Sequence, residues 1–196
     1  MSKIFCLLGK SGCGKDTIFK RLMDHKKLNL KPIVSYTTRP KRDGETDGIE
    51  YYFINKRKLK QYESMGRIIE VRKYSTVNGD WYYSTIDDGQ ISIKENSYLI
   101  IVTLDAYKSL QQYFGIDMVI PIYITLDDGI RLERALKREE KEENPNYNEL
   151  CRRFLADDND FSVEKLKNAG INRLYYNYDI DQCIESIEAD ILNEYI

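Results

Sequence analysis

The sequence predicts an α/β fold, in which a parallel sheet covered by helices on both faces carries an inserted β-rich lobe. Three observations predict it. Short apolar runs alternate with segments of helical periodicity over most of the chain, the pattern of a parallel sheet with crossover helices. Residues 36–93 instead carry short Tyr-, Ile- and Val-rich runs broken by Asp43-Gly44, Asp47-Gly48, Asn78-Gly79 and Asp88-Gly89, turn signals of an antiparallel sheet. The 196 residues, 42% hydrophobic and 32% charged, suffice for one substantial core but not for two full-sized domains.

The elements follow in order. Residues 3–8 read as a buried strand, and residues 9–15 are glycine-rich. Over residues 16–27, Ile18, Phe19, Leu22 and Met23 recur at the spacing of a helix face. A second strand is expected at residues 32–36, and residues 56–65 should form one short helix inside the insert. Strands at 98–104 and 118–126 flank a helix over 106–114. Residues 127–143 are charged and helical, with Asn144-Pro145 as a break, and residues 147–169 read as one long helix. A strand at 173–177 and a helix at 181–194 close the chain. One domain over 1–196 is therefore expected, with its core in 1–34 and 94–196 and its insert at about 35–93.

Composition excludes several functions. No apolar run approaches the roughly 18 residues of a membrane helix, since residues 4–8 and 98–102 are only five long. The first residues also lack the apolar stretch of a signal peptide, so a cytoplasmic location and no membrane partner are expected. Thirty Lys plus Arg against 32 Asp plus Glu give a net charge of −2, which disfavours nucleic acid as a partner. Cys6, Cys13, Cys151 and Cys183 contain no C-x-x-C pair and read as reduced thiols. The lone histidine, His25, suits the end of a helix. Its isolation excludes the usual His/Cys zinc spacings and any Ser-His-Asp machinery within one chain.

Residues Gly9, Lys10, Ser11, Gly12, Cys13, Gly14 and Lys15 fit G-x-x-x-x-G-K between a strand and a helix. Glycines let successive N–H groups turn toward an anion, and the helix N-terminus adds partial positive charge. Lys15 would meet the β- and γ-phosphates of a nucleotide as a point charge. Asp16 stands where the pattern has Ser or Thr, with Thr17 next, and its oxygens suit Mg²⁺. Cys13, beside a helix N-terminus, is expected to have a lowered thiol pKa.

The stretch from Ser35 to Phe53 holds Arg39 and Arg42, then glycine turns and Tyr51. Forked guanidinium donors and phenols suit a phosphate. Together with the phosphate loop, this stretch resembles the guanylate kinase family, whose S-x-T-T-R-x-x-R and later tyrosine belong to the nucleoside monophosphate pocket. The resemblance implies a P-loop kinase core, an inserted lobe that binds the monophosphate, and a helical lid at about 130–155. It places Arg39, Arg42 and Tyr51 on the acceptor phosphate, and Glu70 on the guanine edge. Trp81-Tyr82-Tyr83-Ser84-Thr85 resembles Y-Y-G-[ST], which assigns Tyr82 to the phosphate and Ser84 to the base, with Tyr83 replacing the glycine. Ser35 joins the base contacts.

Thr103-Leu104-Asp105 resembles D-x-D with only Asp105 retained, which makes Asp105 a further GMP residue. Arg134 and Arg138 resemble the lid's R-L-x-x-R, and Arg153 the arginine of R-L-x-x-A-x-x-E, with Asp160 in place of the glutamate. Asn177 is similar to an asparagine on the adenine side. The implied reaction is transfer of the ATP γ-phosphoryl group to GMP or dGMP with Mg²⁺, by a monomer or homodimer. An ionised acceptor needs no general base, so Lys15, Arg39, Arg134, Arg138 and Arg153 would act by alignment and charge neutralisation. The altered Tyr83 and Thr103 keep open another phosphorylated acceptor, such as a different nucleotide or a ribose bisphosphate. Asp16 keeps open an inactive module that binds phosphopeptides.

Overall fold

The computed structural model describes residues 2–76 and 79–194. Its five-stranded parallel sheet has the order β2-β7-β1-β8-β9. These strands are β1 (Ile4–Leu8), β2 (Leu30–Pro32), β7 (Ser97–Ile101), β8 (Val119–Thr125) and β9 (Leu174–Tyr176). β1 lies at the centre with all five residues buried, which explains why it reads as an unbroken apolar run. Its side chains alternate between two cores. Ile4, Cys6 and Leu8 pack with α3 (Leu104–Phe114) and α6 (Val163–Asn168), whereas Phe5 and Leu7 pack with α1 (Lys15–Asp24) and α7 (Ile180–Asn193). Helices thus cover both faces, as expected.

The insert builds a second sheet of order β4-β3-β6-β5 from β3 (Tyr36–Thr37), β4 (Tyr52–Phe53), β5 (Ile68–Thr76) and β6 (Gly79–Ile86). Its small core packs Tyr36 and Ile86 against Leu59 of α2 (Lys56–Ser64). The Asn78-Gly79 turn signal falls partly outside the described residues. The sheet is not wholly antiparallel, because β3 and β4 pair in parallel; the long loop between them returns the chain in the same direction.

Two other expectations change. The strand expected at 32–36 is divided between the sheets: β2 ends at Pro32, which has no N–H to donate, and β3 starts at Tyr36 in the insert. The single helix expected at 147–169 is two, α5 (Tyr147–Asp160) and α6. Phe161 is buried in the core, and the Ser162 side chain accepts from the Lys165 amide as a new N-cap, so the core contact and the cap together stop one helix and start the next. α4 (Asp128–Glu139) precedes α5. No described helix is long and apolar enough to cross a membrane.

Candidate functional site

The phosphate loop joins β1 to α1. Six α-helices have a side-chain N-cap: Asn55, Thr103, Asp127, Asn146, Ser162 and Asp179. The helix α1 starts after Gly14, which makes no cap, so its first amides are left to an outside acceptor. Gly14 has φ +95°, and a Cβ there would stand 2.4 Å from Asn177 Nδ2. At Gly9 a Cβ would meet the Ile124 carbonyl oxygen at 2.3 Å. Only glycine lets the loop lie this close to β8 and to the end of β9.

The Lys15 ammonium donates to the carbonyls of Gly9 (2.8 Å) and Lys10 (3.0 Å), which holds it across the loop. Asp16 and Thr17 are exposed on the first turn of α1. Among the described residues no cluster of three or more His, Cys, Asp or Glu side chains could hold a metal. Asn177, expected on the nucleotide, is instead buried. Its Nδ2 donates to the Cys13 carbonyl at 2.8 Å, so it braces the loop from beneath. Cys13 also departs from expectation: burial raises its thiol pKa, and the lowering effect of Lys15 and Arg131 does not overcome it.

The clamp on the loop's outer side was not among the expectations from the sequence. Arg131 of α4 is 1% exposed and lies over the Phe154 ring, and its Nε donates to the Ser11 carbonyl at 3.0 Å. It pairs with Asp128 and Asp157, and Asp157 accepts the Ser11 amide at 2.7 Å. Lys10 pairs with Asp158. One signal was present: Asp157 occupies the small-residue position of R-L-x-x-A-x-x-E, where a charge calls for a partner.

On the same helices, Arg134 and Arg138 are exposed one turn apart, and neither makes an ion pair among the described residues. Glu133 pairs with Lys137 instead, and Glu139 lies 3.8 Å from Arg153. Arg153 is half-exposed between Glu139 and Glu149.

The insert sheet presents one face to the core. Side chains opposed in a sheet share a face, and neighbours along a strand alternate. Glu70 opposes Thr85, Arg72 opposes Tyr83, and Tyr83 opposes Thr37. These residues share a face with Arg39, which lies over the rings of Tyr51 (5.1 Å) and Phe53 (5.4 Å), and the Tyr51 ring meets that of Tyr83 edge-on at 5.6 Å. Tyr82 and Ser84 lie on the opposite face, with Tyr36 and Ile86 against α2. Tyr82 and Ser84, expected in the pocket, thus lie on the face away from Glu70 and Arg39, and Tyr83 and Thr85 lie on the face with them. The pleat puts every second residue of the 81–85 run on the far side, and the motif is displaced by one position, with Ser84 at its glycine.

Arg39 is buried and forms a two-pronged pair with Glu45 (2.7 and 2.5 Å). That pair pulls the Glu45 carboxyl down to about 2. Arg42 is exposed, and its amide donates to the same carboxylate. Tyr51 has a raised pKa, through burial first and then Tyr83, and Asp16 of α1 adds to the rise. Tyr51 of the insert thus senses a charge on the first turn of α1.

Glu70 is 6% exposed and accepts from Arg72 Nε (2.9 Å), Arg72 Nη2 (3.2 Å) and Thr85 Oγ1 (2.9 Å). Arg72 Nη1 reaches Thr103 Oγ1, the N-cap of α3, at 3.3 Å. A cleft of about 280 Å³ opens beside Arg72, Thr103 and the exposed Asp105. Ser35 lies at the entry to β3, where its carbonyl accepts the Tyr52 amide.

Residues 1–172 match the family model described as guanylate kinase. A guanylate kinase of Helicobacter hepaticus is 31% identical over 143 residues, covering 71% of this chain and 69% of the relative. One from Porphyromonas gingivalis is 25% identical over 193 residues, covering 97% of each. The crystal structure of guanylate kinase from Anaplasma phagocytophilum superposes with a TM-score of 0.69, covering 98% of this chain and 86% of that one. At 20% identity, that likeness speaks for the fold.

Proposed function

As the chain belongs to the guanylate kinase family, we infer that it transfers the γ-phosphoryl group of ATP to the phosphate of GMP or dGMP. The bond from the γ-phosphorus to the β–γ bridging oxygen breaks, and one to an oxygen of the acceptor phosphate forms, giving ADP and a diphosphate. The carrying observation is the uncapped, glycine-lined start of α1, joined in one chain to the Arg39–Tyr51–Tyr83 face of the insert. One end suits a polyphosphate and the other a phosphate monoester.

The residues divide the work as follows. The amides of the loop and of the first turn of α1 take the ATP phosphates, and Lys15 exchanges its loop carbonyls for the β- and γ-phosphates. Arg39, Arg42, Tyr51 and Tyr83 grip the acceptor phosphate. Glu70 accepts from guanine N1–H and the 2-amino group, with Thr85, Ser35 and Asp105 nearby. Adenine has no such donors, so it would leave a buried carboxylate unpaired. Arg134 and Arg138, without ion partners among the described residues, are free to turn toward the transferring group with Arg153 as the lid closes. Closure would also exclude water. No side chain needs to take a proton from an ionised acceptor.

Asp16 and Thr17 fit Mg²⁺, because both are oxygen donors exposed beside the loop. When bound, Mg²⁺ would neutralise phosphate charge. We place the reaction in the cytoplasm, a reducing compartment that suits four free thiols, in purine nucleotide metabolism.

ADP release from ATP and Mg²⁺ with GMP, dGMP, AMP, UMP or CMP offered singly tests this reading. Turnover with GMP and dGMP, lost in Lys15→Ala, is expected. Equal turnover with AMP, or none with GMP, would overturn it.

A further inference from the structure

Glu70 is already occupied. Both of its oxygens face the Nε and Nη2 donors of Arg72, two nearly parallel N–H bonds on a planar cation. The guanine edge that the Proposed function assigns to Glu70 is also planar, with two parallel donors, N1–H and the 2-amino group. The two groups need the same lone pairs. Thr85 takes a further position on Oε1, and the Glu70 side chain is 3% exposed, so the carboxylate has no room to serve both. Arg72 is also tethered from the other side, because its Nη1 reaches the α3 N-cap at Thr103. Burial alone would lower the Arg72 pKa, and Glu70, with smaller contributions from Tyr74 and Tyr51, more than offsets this.

We propose that Arg72 is an internal competitor in the acceptor pocket: a stand-in for guanine that satisfies Glu70 in the open site and that the base must displace to bind. The inference rests on the proposed GMP reading and deepens it. Its consequence is a pocket in which no buried carboxylate is left unpaired when empty, at the expense of GMP affinity. An acceptor with one edge donor displaces Arg72 poorly, because it cannot replace both bonds. A base offering both donors recovers what it breaks. Because each base meets the same cost of displacing Arg72, the residue weakens guanine and hypoxanthine, which keeps N1–H and lacks the 2-amino group, by one common factor.

The test is steady-state kinetics with GMP and with inosine monophosphate on the parent, Arg72→Met and Arg72→Lys, with thermal melts to establish that each variant is folded. In Arg72→Met the KM for GMP should fall on the order of tenfold, since charge-assisted bonds no longer have to be broken. The KM for inosine monophosphate should fall by a similar factor, leaving the ratio between the two acceptors unchanged. Arg72→Lys, a point charge that cannot match both oxygens, should lie between Arg72→Met and the parent. If the variants fold and the KM for GMP is unchanged or raised, or only one of the two acceptors responds, Arg72 is not a competitor and the inference is overturned. Absence of GMP turnover in the parent would overturn the functional reading itself, and this inference with it.

Discussion

The Thr85 hydroxyl donates to the Glu70 carboxylate over 2.9 Å, the two residues lying directly opposite each other on β6 and β5. Because strand side chains alternate, this one bond also places Tyr83 on the cleft face and sends Tyr82 and Ser84 toward α2.

Tyr83→Phe should therefore raise the KM for GMP about tenfold, the loss expected for one hydrogen bond to a charged group. Tyr82→Phe should leave that KM within about twofold. Initial-rate kinetics on the two variants checks it, and the reverse ranking would restore the displaced motif.

Gly14→Ala and Gly44→Ala form a matched pair. Both glycines have positive φ, +95° and +81°, but a Cβ at Gly44 meets nothing within 4 Å whereas at Gly14 it meets Asn177. Urea denaturation should show a loss of about 1–2 kcal/mol for Gly44→Ala, from the backbone term, and a larger one for Gly14→Ala. Only Gly14→Ala should lose the rise in melting temperature produced by ATP.

Arg131→Met should destabilise the protein by about 3–5 kcal/mol, because it leaves the carboxylate of Asp157 without its cation. Adding Asp157→Asn should recover part of that loss, although the Ser11 amide then meets a weaker acceptor. Denaturation of the two single variants and the double variant measures the coupling; simple additivity would mean that the two side chains act independently.

Glu45 links stability to pH. Its folded pKa of about 2 lies below the reference value of 4.5, so the folded state holds the ionised form more strongly. The stabilisation is complete above about pH 5 and disappears as pH falls through the window from 4.5 to 2. The melting temperature of the parent should exceed that of Glu45→Gln most at neutral pH, with the gap closing on acidification. A gap constant from pH 7 to pH 3 would exclude the linkage.

The α/β class, the central strand, the phosphate loop and the Arg39–Tyr51 cluster were legible in the sequence, because each depends on local pattern. A strand buried on both faces must be apolar throughout, and a loop that wraps an anion must spend glycines at set spacings. What only the tertiary structure decided depends on partners remote in the chain. The clamp joins Ser11 to Arg131 and Asp157 across more than 100 residues, and no local period records such a contact. The division of the helix expected at 147–169 follows from where Phe161 meets the core. The face of β6 follows from its register with β5, in which a shift of one residue exchanges cleft for core. Arg72 reads as an ordinary surface cation until the fold lays it across Glu70 and against Thr103. Residue type and spacing supplied the chemistry, and long-range packing decided which groups face one another.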